Sequence, residues 1–237
     1  MTLHEFYGQT RINYQVQPLV GVALSMYAAA LMSNAQFYRD DAKRRAAQAV
    51  KLVEAQTSAE LVIAVRPRSA KYGVVAYNFG LGSLLAVTLL LLVSPRVFSV
   101  GAIAIDGIVA FGLGALVCMN VDTLAFALTR PKSRQAFVDI AARAAFFDLG
   151  ISRTSGRNGI LVFVSMFERT LTVLTDVGIN TAGLGASWTD VLGAMQMAVK
   201  RRDFDAFVAS VENLGSVLAA AMPRSADDVN ELPDEVQ

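Results

Sequence analysis

The chain has 237 residues, a formal net charge of +1 and a mean hydropathy of +0.45; 54% of its residues are hydrophobic and 17% are charged. This balance is more apolar than in ordinary soluble domains, and the near-neutral charge argues against an electrostatic grip on nucleic acid. The single cysteine, Cys118, excludes an internal disulfide, and the single histidine, His4, excludes zinc sites built from His and Cys and the usual Ser-His-Asp catalytic sets.

The first 35 residues contain an apolar segment, residues 16–33, that is short for a membrane span. Such a segment fits a position on the membrane surface or against other apolar helices. A cleaved signal peptide is disfavoured, because only Arg11 precedes the apolar stretch and no clear small-x-small cleavage site follows it. Residues 1–35 are therefore interpreted as an N-terminal interfacial segment.

Residues 36–71 have the pattern of a helix followed by a strand. Within residues 36–56, Ala46, Ala49, Val50 and Val53 recur at helical spacing. The stretch ELVIAVRP, which starts at residue 60, is a short apolar strand closed by a proline. One helix and one strand cannot form a core alone, so this segment is predicted to be the first part of a larger α/β domain.

Residues 72–121 are predicted to form a transmembrane helical hairpin. Residues 72–95 contain no charged side chain, and residues 97–121 contain only Asp106. Each run exceeds the roughly 20 residues that span a hydrocarbon core of about 30 Å. A pair of buried core helices is the soluble alternative, but an apolar pair of this length does not suit a small domain.

Basic residues predict the orientation of this hairpin. Three precede the first run and three follow the second, namely Arg66, Arg68, Lys71, Arg130, Lys132 and Arg134, whereas only Arg96 lies between the runs. The positive-inside rule then places the soluble domain and both termini in the cytoplasm, for a multi-pass membrane protein. Asp106 is costly at membrane depth, and it could be protonated or could pair with a neighbouring copy in a homo-oligomer.

Residues 122–226 are predicted to complete the domain. The expected elements are a helix over 132–149 with Gly150 as its C-cap, strands over 159–165 and 169–175, a helix opened by a capping box of Ser187 and Asp190, and a last helix over 203–222. We expect the strand over 60–66 to lie parallel to the strand over 159–165 through a right-handed crossover, and the strand over 169–175 to add antiparallel.

The predicted fold class is therefore α/β, with a mixed central sheet flanked by helices and interrupted by the transmembrane hairpin. Residues 227–237 carry five acidic side chains and are interpreted as a solvated acidic tail.

Asp176 is the main candidate for a metal site. It stands at the end of the last strand, before a glycine-containing loop, and together with a neighbouring carbonyl group or Asp190 it could hold Ca²⁺ or Mg²⁺. The alternative, which the local sequence favours, is a turn residue before Gly178.

Two further polar features have modest interpretations. The loop that contains Gly183 and Gly185 could present backbone N–H groups to an anion, but a plain connection is favoured. Glu168 and Arg169, in the turn between two strands, are interpreted as a surface ion pair of little energetic value.

Four stretches in this order resemble the TPM domain family: AVKLVEAQTSAELVIAV, AARAAFFDLGISRTSGRNGILVFVSMFERTLTVLTDVGI, SWTDVL and NELPDEV. Together they cover about half of the chain, and the arrangement is most similar to bacterial members with a membrane hairpin inside the domain. Ala59 stands where the family usually has a glycine before the glutamate that matches Glu60. The resemblance implies an α/β sandwich with a mixed central sheet. Some members of the family are linked with photosystem repair or acid phosphatase activity and others with membrane-protein assembly, and no catalytic motif of the family transfers to this chain.

Two functions follow as expectations. The favoured one is a non-enzymatic, membrane-anchored accessory or assembly protein whose cytoplasmic domain binds a protein partner. The alternative is a metal-assisted phosphohydrolase at the membrane surface, with Asp176 as its central carboxylate.

Overall fold

The computed structural model describes residues 36–224 and 231–232. Its helices are α1 (Asp40–Glu54), α2 (Gly73–Val93), α3 (Val100–Asn120), α4 (Asp122–Leu128), α5 (Pro131–Asp148), α6 (Gly185–Arg201) and α7 (Phe204–Ala221). Its strands are β1 (Glu60–Arg66), β2 (Gly159–Ser165) and β3 (Thr170–Thr175), and short 3₁₀ helices lie at Ile151–Arg153 and Thr181–Leu184. The predictions for residues 1–35, and for Asp227, Asp228, Asp234 and Glu235 of the tail, fall outside the described residues.

The three strands form one mixed sheet in the order β1-β2-β3. β1 runs parallel to β2, with Ile63 opposite Val162, and β3 runs antiparallel to β2. The pairing predicted from the sequence is therefore confirmed, although α2, α3, α4 and α5 all lie between β1 and β2 in the chain.

Helices cover both faces of this sheet. On one face, alternate residues of β1 such as Ile63 join β2, α1, α6 and α7 in the larger core. On the other face, Val62 and Phe163 pack against α5. All seven residues of the central strand β2 are buried, as expected for a strand covered on both faces. The architecture is a helix–sheet–helix sandwich.

The helices α2 and α3 pack against each other as a hairpin outside this sandwich. Their backbones approach closely where glycines face the partner helix, because a Cβ atom on Gly80 would lie 2.7 Å from the carbonyl oxygen of Phe111 and one on Gly114 would collide with the side chain of Ser83. Most of the remaining hairpin surface is apolar and exposed. In the most apolar stretch of each helix, only 11% of the residues of α2 and 17% of those of α3 are buried.

Three described helices are long and apolar enough to cross a membrane, namely α2, α3 and α7. The apolar face of α7 is used inside the domain, where Val211, Leu214 and Leu218 are fully buried. The sequence predicts a last helix of the domain over residues 203–222, and the packing of α7 against α1 and α6 agrees with it.

The helix ends confirm one prediction, show one cap that was not predicted and correct another prediction. Gly150 adopts a left-handed conformation (φ 68°) just after α5, as a C-terminal glycine should. Asp203 caps α7 by accepting a hydrogen bond from the Ala206 amide at 3.0 Å. The capping box at Ser187 and Asp190 is wrong, because the preceding 3₁₀ helix leads directly into α6, which already begins at Gly185 and so places Ser187 within its first turn.

The described part of the tail contacts the domain. The Ser155 amide donates to Glu231 Oε2 at 2.9 Å, the Ser155 hydroxyl donates to its Oε1, and the Leu232 side chain packs on the core beside α5. These hydrogen bonds hold the pKa of the Glu231 carboxyl below its usual range. Glu231 is exposed, as a solvated tail predicts, whereas Leu232 is half-buried against the domain.

Candidate functional site

The carboxyl ends of β1 and β2 meet at one edge of the sheet, and the hairpin α2–α3 leaves and rejoins the domain at this same edge. The two strands stay paired beyond their last residues, because the amides of Met166 and Phe167 donate to the carbonyl oxygens of Arg66 and Pro67 at 3.0 Å. In open α/β sheets this edge is where ligands commonly bind. We refer to residues 66–72, 122–137 and 165–169 as the hairpin root.

Glu168 is the centre of the hairpin root. Its side chain is buried, with 2% of the residue exposed, and its carboxylate accepts three hydrogen bonds. The donors to Oε1 are the Ser69 amide at 3.0 Å and the Tyr72 hydroxyl at 2.7 Å, and the donor to Oε2 is the Ser165 hydroxyl. The Ser69 hydroxyl in turn donates to the Ser165 hydroxyl at 2.7 Å. A buried carboxylate is tolerated because these donors replace its hydration shell.

Aromatic packing surrounds this polar centre. The Tyr72 ring lies 4.6 Å from the Phe167 ring and 5.8 Å, edge to face, from the Phe137 ring. Ala76 of α2 and Cys118 of α3 belong to the same buried cluster. The hairpin is therefore joined to the domain by a hydrogen-bonded carboxylate inside an apolar shell. These contacts set the orientation of the hairpin relative to the domain.

Tyr38, just before α1, reaches the same region. Burial and the negative charge of Glu168 raise the pKa of the Tyr38 phenol above its ordinary value. The phenol is thus neutral at physiological pH. Within the described residues its buried hydroxyl has no hydrogen-bond partner.

The interpretation of Glu168 and Arg169 as a surface ion pair is wrong. Glu168 turns inward to donors that are 96 and 99 residues away in the sequence, and no short motif links those positions. Arg169 has a positive φ of 52° and lies over an aromatic ring, with its guanidinium carbon 4.7 Å from the centre of Phe126. The one available sequence signal was the apolar pair Met166–Phe167 directly before the glutamate, which suggests a buried turn.

Asp176 lies at the opposite end of the sheet, beside the start of β2. It is 5% exposed, and its carboxylate faces a single guanidinium: Arg157 Nη2 donates to Oδ1 at 3.0 Å, and Arg157 Nε lies 2.8 Å from Oδ2. Its Oδ1 also accepts a hydrogen bond from the Val177 amide at 2.8 Å. Both hydrogen bonds go to Oδ1; within the described residues the buried Oδ2 accepts none and is compensated by the nearby charge of Arg157.

Asp190 lies on the exposed surface of α6. Residues 36–224 and 231–232 contain no group of three or more His, Cys, Asp or Glu side chains arranged to hold a metal ion. The site of Asp176 and Asp190 for Ca²⁺ or Mg²⁺ remains a prediction from the sequence. The glycine-containing loop between β3 and α6 is shaped by local bonds, such as the one from the Gly183 amide to Asn180 Oδ1 at 3.3 Å.

Comparison with known proteins bears on the fold. No family model matches the chain, and no curated protein matches it either. The chain is similar to the NMR structure of BA42 protein from the psychrophilic bacterium Bizionia argentinensis, with a TM-score of 0.50 over 84% of this chain and 92% of that chain. The two proteins share a fold. Their sequences are 18% identical, so the similarity concerns architecture and not activity.

Proposed function

We propose that this chain is a membrane-anchored accessory or assembly protein of the TPM type, whose α/β domain stands at the cytoplasmic surface of a bacterial inner membrane and binds a protein partner there. The observation that carries the proposal is the exposed apolar hairpin held to the domain through Glu168. The similarity in fold to BA42 protein and the four stretches that resemble TPM sequences support the family assignment.

The hairpin surface favours lipid as its surroundings. Leu90, Leu92 and Val93 are 71%, 66% and 76% exposed, and on α3 Ile108 is 68% exposed. Each such side chain left in water forgoes about 1.5–3 kcal/mol relative to burial, whereas a bilayer satisfies it. The 21 residues of each helix give a length of about 30 Å, the thickness of the hydrocarbon core.

Asp106 supports a homo-oligomeric form of the anchor. It lies on the exposed surface of α3, among side chains that would face lipid. A carboxylate at the centre of a span costs about 2.5–3.5 kcal/mol on insertion scales, and Asp106, in the first half of α3, carries part of that cost, so packing against a second copy of the hairpin would stabilise it.

The outer face of α5 supports the binding of a partner. Ile140 and Phe147 are 65% and 69% exposed and lie seven residues apart, and Ala136 and Ala144 on the same side are also exposed. Two helical turns of exposed apolar surface are unusual on a folded domain unless a partner covers them. α5 begins at the hairpin root and ends at the opposite edge of the sheet, so this face is accessible beside the membrane.

Paired reporter fusions test the anchor and its orientation together. A phosphatase that is active only outside the cytoplasm is inserted after Arg96 in one variant and fused to Gln237 in another. Because the flanks of the hairpin carry six basic residues and its turn carries only Arg96, we expect high activity from the first fusion and at least tenfold less from the second.

High activity at both sites would contradict the proposed orientation, and inactivity at both would contradict a hairpin that crosses the membrane. Retention of the unfused protein in membranes washed with alkaline carbonate serves as the control for integral association. Quantitative release would exclude the anchor.

Site-specific cross-linking tests the partner surface. A photo-reactive phenylalanine analogue at Phe147 is expected to give a discrete cross-linked product in intact membranes. We expect Ile140→Asp to reduce this product about tenfold, because a charge is placed within the apolar contact. The analogue at Leu52, which is 52% exposed on α1, is the matched control and should give no such product. Identical products from positions 147 and 52, or insensitivity to Ile140→Asp, would contradict a partner site on α5.

A further inference from the structure

The hairpin root carries an arginine cluster, which consists of Arg68, Arg134 and Arg169. The guanidinium carbons of Arg134 and Arg169 lie 3.7 Å and 4.7 Å from the centre of the Phe126 ring, and that of Arg68 lies 4.5 Å from the centre of the Phe167 ring. The two rings are themselves 6.1 Å apart. Three guanidinium groups thus pack against one pair of neighbouring aromatic rings.

The positive charge of this cluster is only partly neutralised. Arg68 forms an ion pair with Asp122 at 2.6 Å, but Arg134 donates to two neutral carbonyl oxygens, those of Phe126 and Thr129. Within the described residues, the buried Nε of Arg169 has no hydrogen-bond acceptor. The charge of Arg169, after burial, is also a cause of the lowered pKa of Arg202, so a further cation lies nearby.

The cluster lies at the level where the hairpin emerges. Tyr72, which packs on Phe167, directly precedes the first residue of α2, and Phe126 belongs to α4, which follows α3. If the hairpin spans the bilayer as proposed above, the cluster lies in the headgroup layer of the cytoplasmic leaflet. Arginine and aromatic side chains are both suited to this layer. The planar guanidinium group matches the geometry of a phosphodiester, which it can bind with two parallel hydrogen bonds.

We propose that the arginine cluster binds the phosphodiester group of an anionic phospholipid, with Arg169 as its principal ligand. Arg169 has the strongest claim because its half-buried side chain lies over Phe126 and no carboxylate pairs with it among the described residues. Its backbone is also held in the left-handed region, which fixes the start of its side chain at the rim of the root. The inference rests on the proposed membrane anchor but adds to it a lipid-binding site with a preference for negative charge.

Thermal unfolding of the full chain in an uncharged detergent tests this site. The single tryptophan, Trp188, is 9% exposed in α6 and reports on the domain. We expect added phosphatidylglycerol to raise the unfolding midpoint in a salt-sensitive way and phosphatidylcholine to leave it unchanged. Because one basic residue near an anionic surface contributes about 1 kcal/mol, Arg169→Gln should require about fivefold more phosphatidylglycerol for half of the shift.

Three comparisons make the result specific. Arg153→Gln, an exposed arginine at the opposite edge of the sheet, should respond to phosphatidylglycerol like the parent protein. Arg169→Lys keeps the charge but lacks the planar guanidinium group, so it should require about twofold more phosphatidylglycerol for half of the shift. It also provides a second variant if Arg169→Gln folds poorly. Inorganic phosphate should produce no comparable shift.

Three results would overturn the proposal. Phosphatidylglycerol could have no effect, phosphatidylcholine or inorganic phosphate could have the same effect, or the effect of phosphatidylglycerol could persist unchanged in both Arg169 variants. Such a failure differs from failure of the anchor. The reporter fusions would still place the hairpin across the membrane if only the lipid site is wrong.

Discussion

Glu168→Ala is expected to lower the free energy of unfolding by about 3–5 kcal/mol. The substitution leaves three buried donors, the Tyr72 hydroxyl, the Ser69 amide and the Ser165 hydroxyl, without their acceptor. Each unsatisfied group costs about 1–3 kcal/mol, and the existing hydrogen bond from the Ser69 hydroxyl to the Ser165 hydroxyl does not replace the lost acceptor. Denaturant unfolding in mild detergent, followed by the fluorescence of Trp188, measures the loss.

Glu168→Gln separates the hydrogen bonds from the charge. The amide oxygen can still accept from Ser69 and Tyr72, and the amide nitrogen can donate to the Ser165 hydroxyl. We therefore expect a smaller loss of about 1–2 kcal/mol. Glu212→Ala, at an exposed glutamate of α7, is the matched control and should change stability by less than about 0.5 kcal/mol.

A local readout tests the role of Glu168 in holding the hairpin to the domain. In Glu168→Ala, the segment before α2 loses its anchor, so trypsin should cleave after Arg68 and Lys71 faster than in the parent protein while β2 stays protected. Unchanged cleavage together with unchanged stability would show that the hairpin root does not depend on this carboxylate.

The sheet could be predicted from the sequence because its strands are continuous apolar runs. β1 and β2 are each bounded by polar or turn residues, and a buried parallel pair is the arrangement that covers both of their faces. The hairpin was equally clear, because an absence of charge from residue 72 to residue 95 is a local property of the sequence. These signals lie within one segment each.

The hairpin root could not be predicted in the same way. Glu168 has an ordinary turn sequence around it, and its burial depends on Ser69 and Tyr72, which only the β1–β2 pairing brings near. At Asp176, too, the local sequence does not contain the tertiary partner: Arg157, 19 residues earlier, forms an ion pair with its carboxylate. The metal site suggested there by the sequence remains a prediction.

The same reasoning explains the tail. Five acidic residues in sequence indicate solvation, because isolated charges favour water. Glu231 nevertheless accepts two hydrogen bonds from Ser155, and Leu232 reaches the core beside α5. A contact between residues 76 positions apart is again invisible to composition.

Ile63→Asp is expected to unfold the domain on both sides of the hairpin. Ile63 is 1% exposed, pairs with Val162 across the parallel ladder and faces the larger core with α1, α6 and α7. An unpaired carboxylate there costs more than about 4 kcal/mol, a large part of the stability of a domain of this size. Because β1 is an outer strand of the three-stranded sheet and pairs with β2, residues 123–237 should lose their protection from protease although the substitution lies before the hairpin.

Two control variants calibrate this result. Leu52 on α1 is 52% exposed, so Leu52→Asp places the same charge at the surface and should leave the protease pattern unchanged. Ile63→Val removes one buried methylene group and should cost about 0.5–1.5 kcal/mol without loss of protection. If residues 123–237 of Ile63→Asp resist protease as well as those of Leu52→Asp, the C-terminal part folds without β1. The two parts of the sandwich would then be independent units joined only by the hairpin, and Glu168 could not transmit the orientation of α2 to the whole domain.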